Sequence, residues 1–86
     1  MHTLKLISEL IGVSGYEEVV RNNIRNYVTN NDSQVQIETD KIGNLIIHKK
    51  GEVSNIRIMI IAHMDEVGLI ITHVTDEGFL KFGFVG

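Results

Sequence analysis

Cysteine is absent from the 86 residues, which excludes both a disulfide staple and a thiolate metal site, so any bound metal must be held by His and carboxylates. A basic surplus is also missing. Eight Lys and Arg stand against eleven Asp and Glu, a formal net charge of −3, and the basic residues are scattered. Such a pattern is unsuited to tracking phosphates, so nucleic acid is not an expected partner. The start, Met1-His2-Thr3-Leu4-Lys5, lacks the basic segment and apolar stretch of a signal peptide, and no apolar run approaches the length of a membrane span. The expectation is a soluble, untargeted chain with no membrane partner, compatible with a reducing cytoplasm. No internal repeat, low-complexity tract or linker divides it.

The residues that are present can pack: 43% are hydrophobic and 22% charged, ordinary values for a globular protein. At this length one core is the most the chain can build. Leu4, Ile7, Leu10 and Ile11 recur at helical spacing and predict a short amphipathic helix stopping at Gly12. Ser14 and Glu17 then have the spacing of a capping box, in which each side chain satisfies a backbone N–H at the start of a second helix over residues 16–27. Val19, Val20, Ile24, Tyr27 and Val28 form its apolar stripe, with Arg21, Asn22, Arg25 and Asn26 expected toward water. The Asn30-Asn31-Asp32-Ser33 cluster reads as the loop that closes it.

From Val35 the hydrophobic period becomes two, so strands are expected there and over residues 44–49, with a turn at Lys50-Gly51-Glu52. Residues 56–62, Ile-Arg-Ile-Met-Ile-Ile-Ala, are apolar almost throughout and read as a strand buried on both faces. Residues 68–75 and 79–85 read as a hairpin turning at Asp76-Glu77-Gly78. The fold class is therefore α+β or α/β, two amino-terminal helices followed by about five strands. Two helices cannot cover both faces of such a sheet, and the apolar Phe82-Gly83-Phe84-Val85-Gly86 has no polar tail. Both features lead to the expectation of partner structure, from a longer chain or another subunit.

The segment richest in chemistry is Ala62-His63-Met64-Asp65-Glu66-Val67-Gly68, placed where the apolar run gives way to a more polar stretch. On an extended backbone residues two apart point to one side, so His63 and Asp65 share a face that Met64 and Glu66 do not. An imidazole that binds a divalent ion through one nitrogen is commonly held by a carboxylate on the other. A hydrogen-bonded structural His is the competing reading of the same spacing. Glu66, facing away from Asp65, is not assigned catalysis. His2, near the terminus, His48, beside Lys49 and Lys50, and His73, midway along a later strand, are read as structural or surface residues.

Four segments together carry a resemblance. Gly12-Val13-Ser14-Gly15-Tyr16-Glu17, Asp40-Lys41-Ile42-Gly43-Asn44-Leu45, Ala62-His63-Met64-Asp65-Glu66-Val67-Gly68 and Asp76-Glu77-Gly78-Phe79-Leu80 resemble, in order and spacing, the start of the M42 metallo-aminopeptidases, the glutamyl aminopeptidase or TET-like family. The related M20 and M28 metallopeptidases share the H-x-D idea but usually continue differently. One departure is Ile11 before Gly12, where many relatives carry Pro.

The resemblance implies that His63 is the first ligand of a two-metal site and Asp65 the catalytic carboxylate that orients it. It also implies that residues 1–86 are the incomplete amino-terminal part of a larger mixed-sheet metallopeptidase catalytic domain. The complete enzyme would use two divalent metal ions, zinc or cobalt, to remove amino-terminal residues from peptides, and would form a large homo-oligomer. The bridging aspartate, the glutamate base, the remaining acidic ligand and the last histidine would come from sequence beyond Gly86. This chain alone is accordingly expected to be inactive and to bind no metal stably. No carboxylate pair suited to glycoside hydrolysis stands out. Gly12 and Gly15 are read as turn residues, Ser14 as a helix cap, Gly43-Asn44 as the entry to a strand, and Asp40 as a turn residue more than an acid near the site. The second reading, from a different class, is a small non-catalytic α+β module that associates through its exposed sheet.

Overall fold

A computed structural model describes residues 2–53 and 55–86. Its order is α1 (His2–Ser8), α2 (Glu18–Asn31), β1 (Gln36–Thr39), β2 (Leu45–His48), β3 (Gly68–Val74) and β4 (Leu80–Val85). The described residues are thus α+β, with two helices first and then four strands, slightly fewer than the five or so expected. The strands form two separate antiparallel hairpins, β1 with β2 and β3 with β4.

Helix α1 stops at Ser8, short of the expected Gly12, because the backbone around Gly12 is drawn into pairing elsewhere. Helix α2 begins two residues later than expected and runs four residues further. Polar side chains sustain its extra turn by bonding back to carbonyls four residues earlier, Thr29 Oγ1 to Arg25 O and Asn31 Nδ2 to Tyr27 O, each at 2.8 Å. Asp32, extended at φ −148°, then closes it. The Asn30-Asn31 half of the expected loop is therefore helical.

Two arginines depart from their expected place in water. Arg21 Nε donates to Gly43 O at 2.7 Å, and Arg25 Nη2 donates to Thr39 Oγ1. A guanidinium on a long apolar stem can lie along a neighbouring element while its head supplies donors to a turn, and here two of them fasten α2 to the first hairpin. That hairpin pairs Gln36 with His48 and Thr39 with Leu45. Asp40 builds its turn: Oδ1 accepts from the backbone N–H of Ile42 at 3.1 Å and of Asn44 at 2.8 Å, while Oδ2 accepts from Asn44 Nδ2 at 2.8 Å.

The second hairpin turns where the sequence indicates, with Gly78 N–H donating to Thr75 O and Phe79 N–H to the Thr75 hydroxyl. Its register shifts between Ile71 and His73, and Phe82 and Phe84, two apart on β4, meet edge to face with ring centroids 5.7 Å apart.

Residues 56–62 overturn the expectation of a doubly buried strand. They pair with none of the described residues, and Ile58, Met59, Ile60 and Ile61 are each more than four-fifths exposed. A strand needs a neighbour to complete its backbone hydrogen bonds, and no described strand lies beside this segment. Among the described residues Val20, 3% exposed, is the one buried apolar side chain. The accessible surface of 7860 Å² compares with about 5,100 Å² for a folded monomer of 9.7 kDa, and the radius of gyration of 17.6 Å with about 12 Å for a compact chain of this length. These residues do not enclose a core of their own.

Candidate functional site

The connector between α1 and α2 lies parallel to the segment that follows His63. Glu66 N–H donates to Gly12 O at 2.9 Å and Ser14 N–H donates to Glu66 O at 3.2 Å, a parallel bridge between Val13 and Glu66. Two glycines permit this approach. A Cβ at Gly12 would stand 2.5 Å from Val20 Cγ2, and one at Gly68 would strike the Val13 side chain. Gly12 is thus a close-packing residue, a different job from the turn expected of it.

The bridge sets Ser14 opposite Asp65. The capping box anticipated for Ser14 does not form: α2 starts at Glu18, the cap position is Glu17, and no side chain caps it. A turn closed by Tyr16 N–H to Val13 O at 2.7 Å intervenes, with Glu17 Oε1 accepting from Gly15 N–H at 2.8 Å. The Ser14 hydroxyl instead donates to Asp65 Oδ2 at 2.5 Å.

Asp65 Oδ1 lies 3.0 Å from His63 Nδ1, and the Asp65 backbone oxygen is also 3.0 Å from that nitrogen. Both contacts suit a proton on Nδ1, which leaves the Nε2 lone pair available. The His63 side chain is 85% exposed and that of Asp65 40%. The Ser14 hydrogen bond is the largest influence holding the Asp65 carboxyl below the usual aspartate range; partial desolvation opposes it and His63 assists.

Beside this pair lies a shallow hollow of about 160 Å³, lined in part by Glu17, Gly43, Asn44, His63 and Asp65. The Asp40 turn supplies one wall, so Asp40 shapes the hollow as a turn residue, its carboxyl held low first by the Asn44 side chain. Glu66 serves through its backbone. His48 ends β2 opposite Gln36, His73 faces Lys81 beside the register shift, and His2 opens α1.

A divalent ion requires several donors, and among the described residues no group of three or more His, Cys, Asp or Glu converges. His63, exposed on its ring and held at Nδ1, is a donor of the kind such a site uses. The Ser14 contact spans 51 positions and leaves no mark in local spacing, so sequence patterns could not have announced it.

Residues 43–86 match the family model described as M42 glutamyl aminopeptidase, and the chain belongs to that family. A protein of Acetivibrio thermocellus named for an inferred aminopeptidase activity is 41% identical over 83 residues, 96% of this chain and 24% of the relative. The lysyl aminopeptidase of Pyrococcus furiosus is 38% identical over 85 residues, 96% of this chain and 23% of its own length. The glutamyl aminopeptidase of Lactococcus lactis subsp. cremoris is 33% identical over 79 residues, 91% of this chain and 22% of its own length. The chain therefore spans about a quarter of the length of the curated relatives it matches. No solved structure matches it. None of the described helices is long and apolar enough to cross a membrane.

Proposed function

We propose that the chain is the amino-terminal portion of a metal-dependent aminopeptidase that removes amino-terminal residues from peptides in the cytoplasm, working as a homo-oligomer. In this reading His63 Nε2 is a metal ligand and Asp65 the carboxylate that fixes its ring. The observation that carries it is the contact of Asp65 Oδ1 with His63 Nδ1, with Nε2 left free on an exposed ring. A carboxylate on the inner nitrogen sets the tautomer and raises the basicity of the outer one. Family membership and the names of the relatives favour this over a non-catalytic module.

Two divalent ions, zinc or cobalt, would when bound polarise the scissile carbonyl and activate water. This chain's own part is limited to presenting Nε2, holding the proton on Nδ1 and walling the hollow with the Asp40 turn. The positioned base that hydrolysis also needs would come from sequence beyond Gly86, so residues 1–86 alone should bind no ion stably and turn over no peptide. Reading the gene past Gly86 is the direct test. A frame that continues into further acidic and histidine motifs supports the enzyme, and a stop codon there overturns the reading in favour of the module.

A further inference from the structure

We propose that Ser14 is a positioning residue for His63: its hydroxyl clamps Asp65 through Oδ2, so that Oδ1 is held against His63 Nδ1. The inference rests on the reading of His63 as a metal ligand and adds a third member to the pair.

The geometry makes the hydroxyl more than a neighbour. A carboxylate rotates over a broad, two-fold well about its terminal torsion, so one hydrogen bond to His63 would leave its plane poorly fixed. Occupying the second oxygen from Ser14 fixes that plane from both sides. The donor is itself carried on fixed backbone, since Ser14 N–H bonds to Glu66 O, the residue after Asp65. Donor and acceptor thus ride on two paired segments, and the distance between them is set by that pairing more than by side-chain freedom. The alternative employment for Ser14, capping α2, is ruled out by the position of Glu17 at the cap. Among the described residues the hydrogen-bond contacts of the imidazole are both with Asp65, through Oδ1 and the backbone oxygen, on a ring that is otherwise largely exposed. Loss of the Ser14 hydroxyl should therefore loosen the aim of Nε2 without removing any metal donor.

The experiment uses the full-length protein and zinc as the probe, with binding followed by calorimetry. Ser14→Ala adds no volume, and Ser14→Val and Ser14→Thr share a shape but differ in the hydroxyl. Ser14→Ala and Ser14→Val should weaken zinc binding about tenfold, at the low end for an outer-sphere change, and Ser14→Thr should keep the wild-type affinity. In an Asp65→Ala background Ser14→Val should add nothing, because both changes break one chain of contacts. Nitrogen NMR of the metal-free protein should place the His63 proton on Nδ1 in wild type and on a mixture of both nitrogens in Ser14→Val. Equal zinc affinity in Ser14→Val and Ser14→Thr, additive losses with Asp65→Ala, or a wild-type proton on Nε2 would each overturn the proposal. His63→Ala separates the two levels. Unchanged zinc binding in that variant sinks the ligand reading beneath, whereas loss of zinc with an unaffected Ser14→Val sinks the Ser14 role alone.

Discussion

Residues 1–86 by themselves should self-associate in the micromolar range, and Ile60→Lys should reduce it. The accessible surface exceeds that of a compact monomer of the same mass by about 2,700 Å², within the range buried by obligate interfaces. Much of that excess is apolar and contiguous in sequence: Ile58 is 84% exposed, Met59 82%, Ile60 91% and Ile61 83%. Two-stranded hairpins add open edges, which invite strand pairing between chains. Because Ile60 touches almost nothing here, Ile60→Lys should change the stability of the separate chain by no more than about 0.5 kcal/mol while placing a charge in the sticky patch. In a longer polypeptide that covers residues 56–62, the same substitution should cost at least the ~1.5–3 kcal/mol of a buried aliphatic side chain. Multi-angle light scattering and chemical denaturation of both forms provide the readings. A monodisperse monomer of residues 1–86 with a cooperative thermal transition would refute the reasoning, since it would mean the chain closes its own core.

The separate chain should not hydrolyse aminoacyl-p-nitroanilides with or without added zinc or cobalt, and turnover by pure protein that His63→Ala abolishes would contradict this. In the full-length protein His63→Ala should strip metal, whereas Asp65→Asn should retain it with affinity lowered about tenfold to a hundredfold, as elemental analysis and zinc titration would report. Asp32 is held below the usual aspartate range, first by its hydrogen bond to Lys49 and then by Gln34 N–H, so its stabilising effect is present above the unfolded-chain value and fades as pH falls through the folded one. Lys49→Ala should return Asp32 toward the ordinary range in a carboxyl NMR titration, and an unmoved Asp32 would show that the ion pair is not formed. Gly68→Ala should drive Val13 away and separate Ser14 from Asp65, lowering zinc affinity as Ser14→Val does; wild-type affinity there would show the connector has slack.

What the sequence disclosed follows from the range of the forces involved. The second hairpin was legible because its signals are local: two apolar, strand-like arms and a turn at Asp76-Glu77-Gly78 between them. The Asp40 turn was legible for the same reason, since all its acceptor bonds reach no further than Asn44. Residues 56–62 were misread because an apolar run reports only that a segment prefers to leave water. Whether it does so as a strand depends on a partner, and none of the described residues supplies one. The arginines of α2 show the converse error. A helical wheel assigned them to solvent, but Gly43 O and Thr39 Oγ1 lie 22 and 14 positions away and offered acceptors that periodicity cannot register.

Ser14 is where local and distant demands compete for one hydroxyl, and the outcome has a definite cause. A capping box needs the helix to begin immediately after the serine, so that its oxygen meets a free N–H in the first turn. Here the chain spends Ser14 and Gly15 on a tight turn closed by Tyr16 N–H, possible because Gly15 adopts φ +87°, and the helix starts only at Glu18. The displaced start removes the N–H that Ser14 would have capped, and the same turn presents the hydroxyl to the strand entry at Asp65. Without the bridge from Gly12 and Ser14 to Glu66, nothing would hold that alignment against the gain of capping α2, worth about 1 kcal/mol in typical helices. The glycines at 12 and 68 matter through this contest: they let two backbones come close enough for the distant carboxylate to win. A serine three residues before a glutamate thus became the outermost support of His63, through the turn at Gly15 together with the close approach that Gly12 and Gly68 permit.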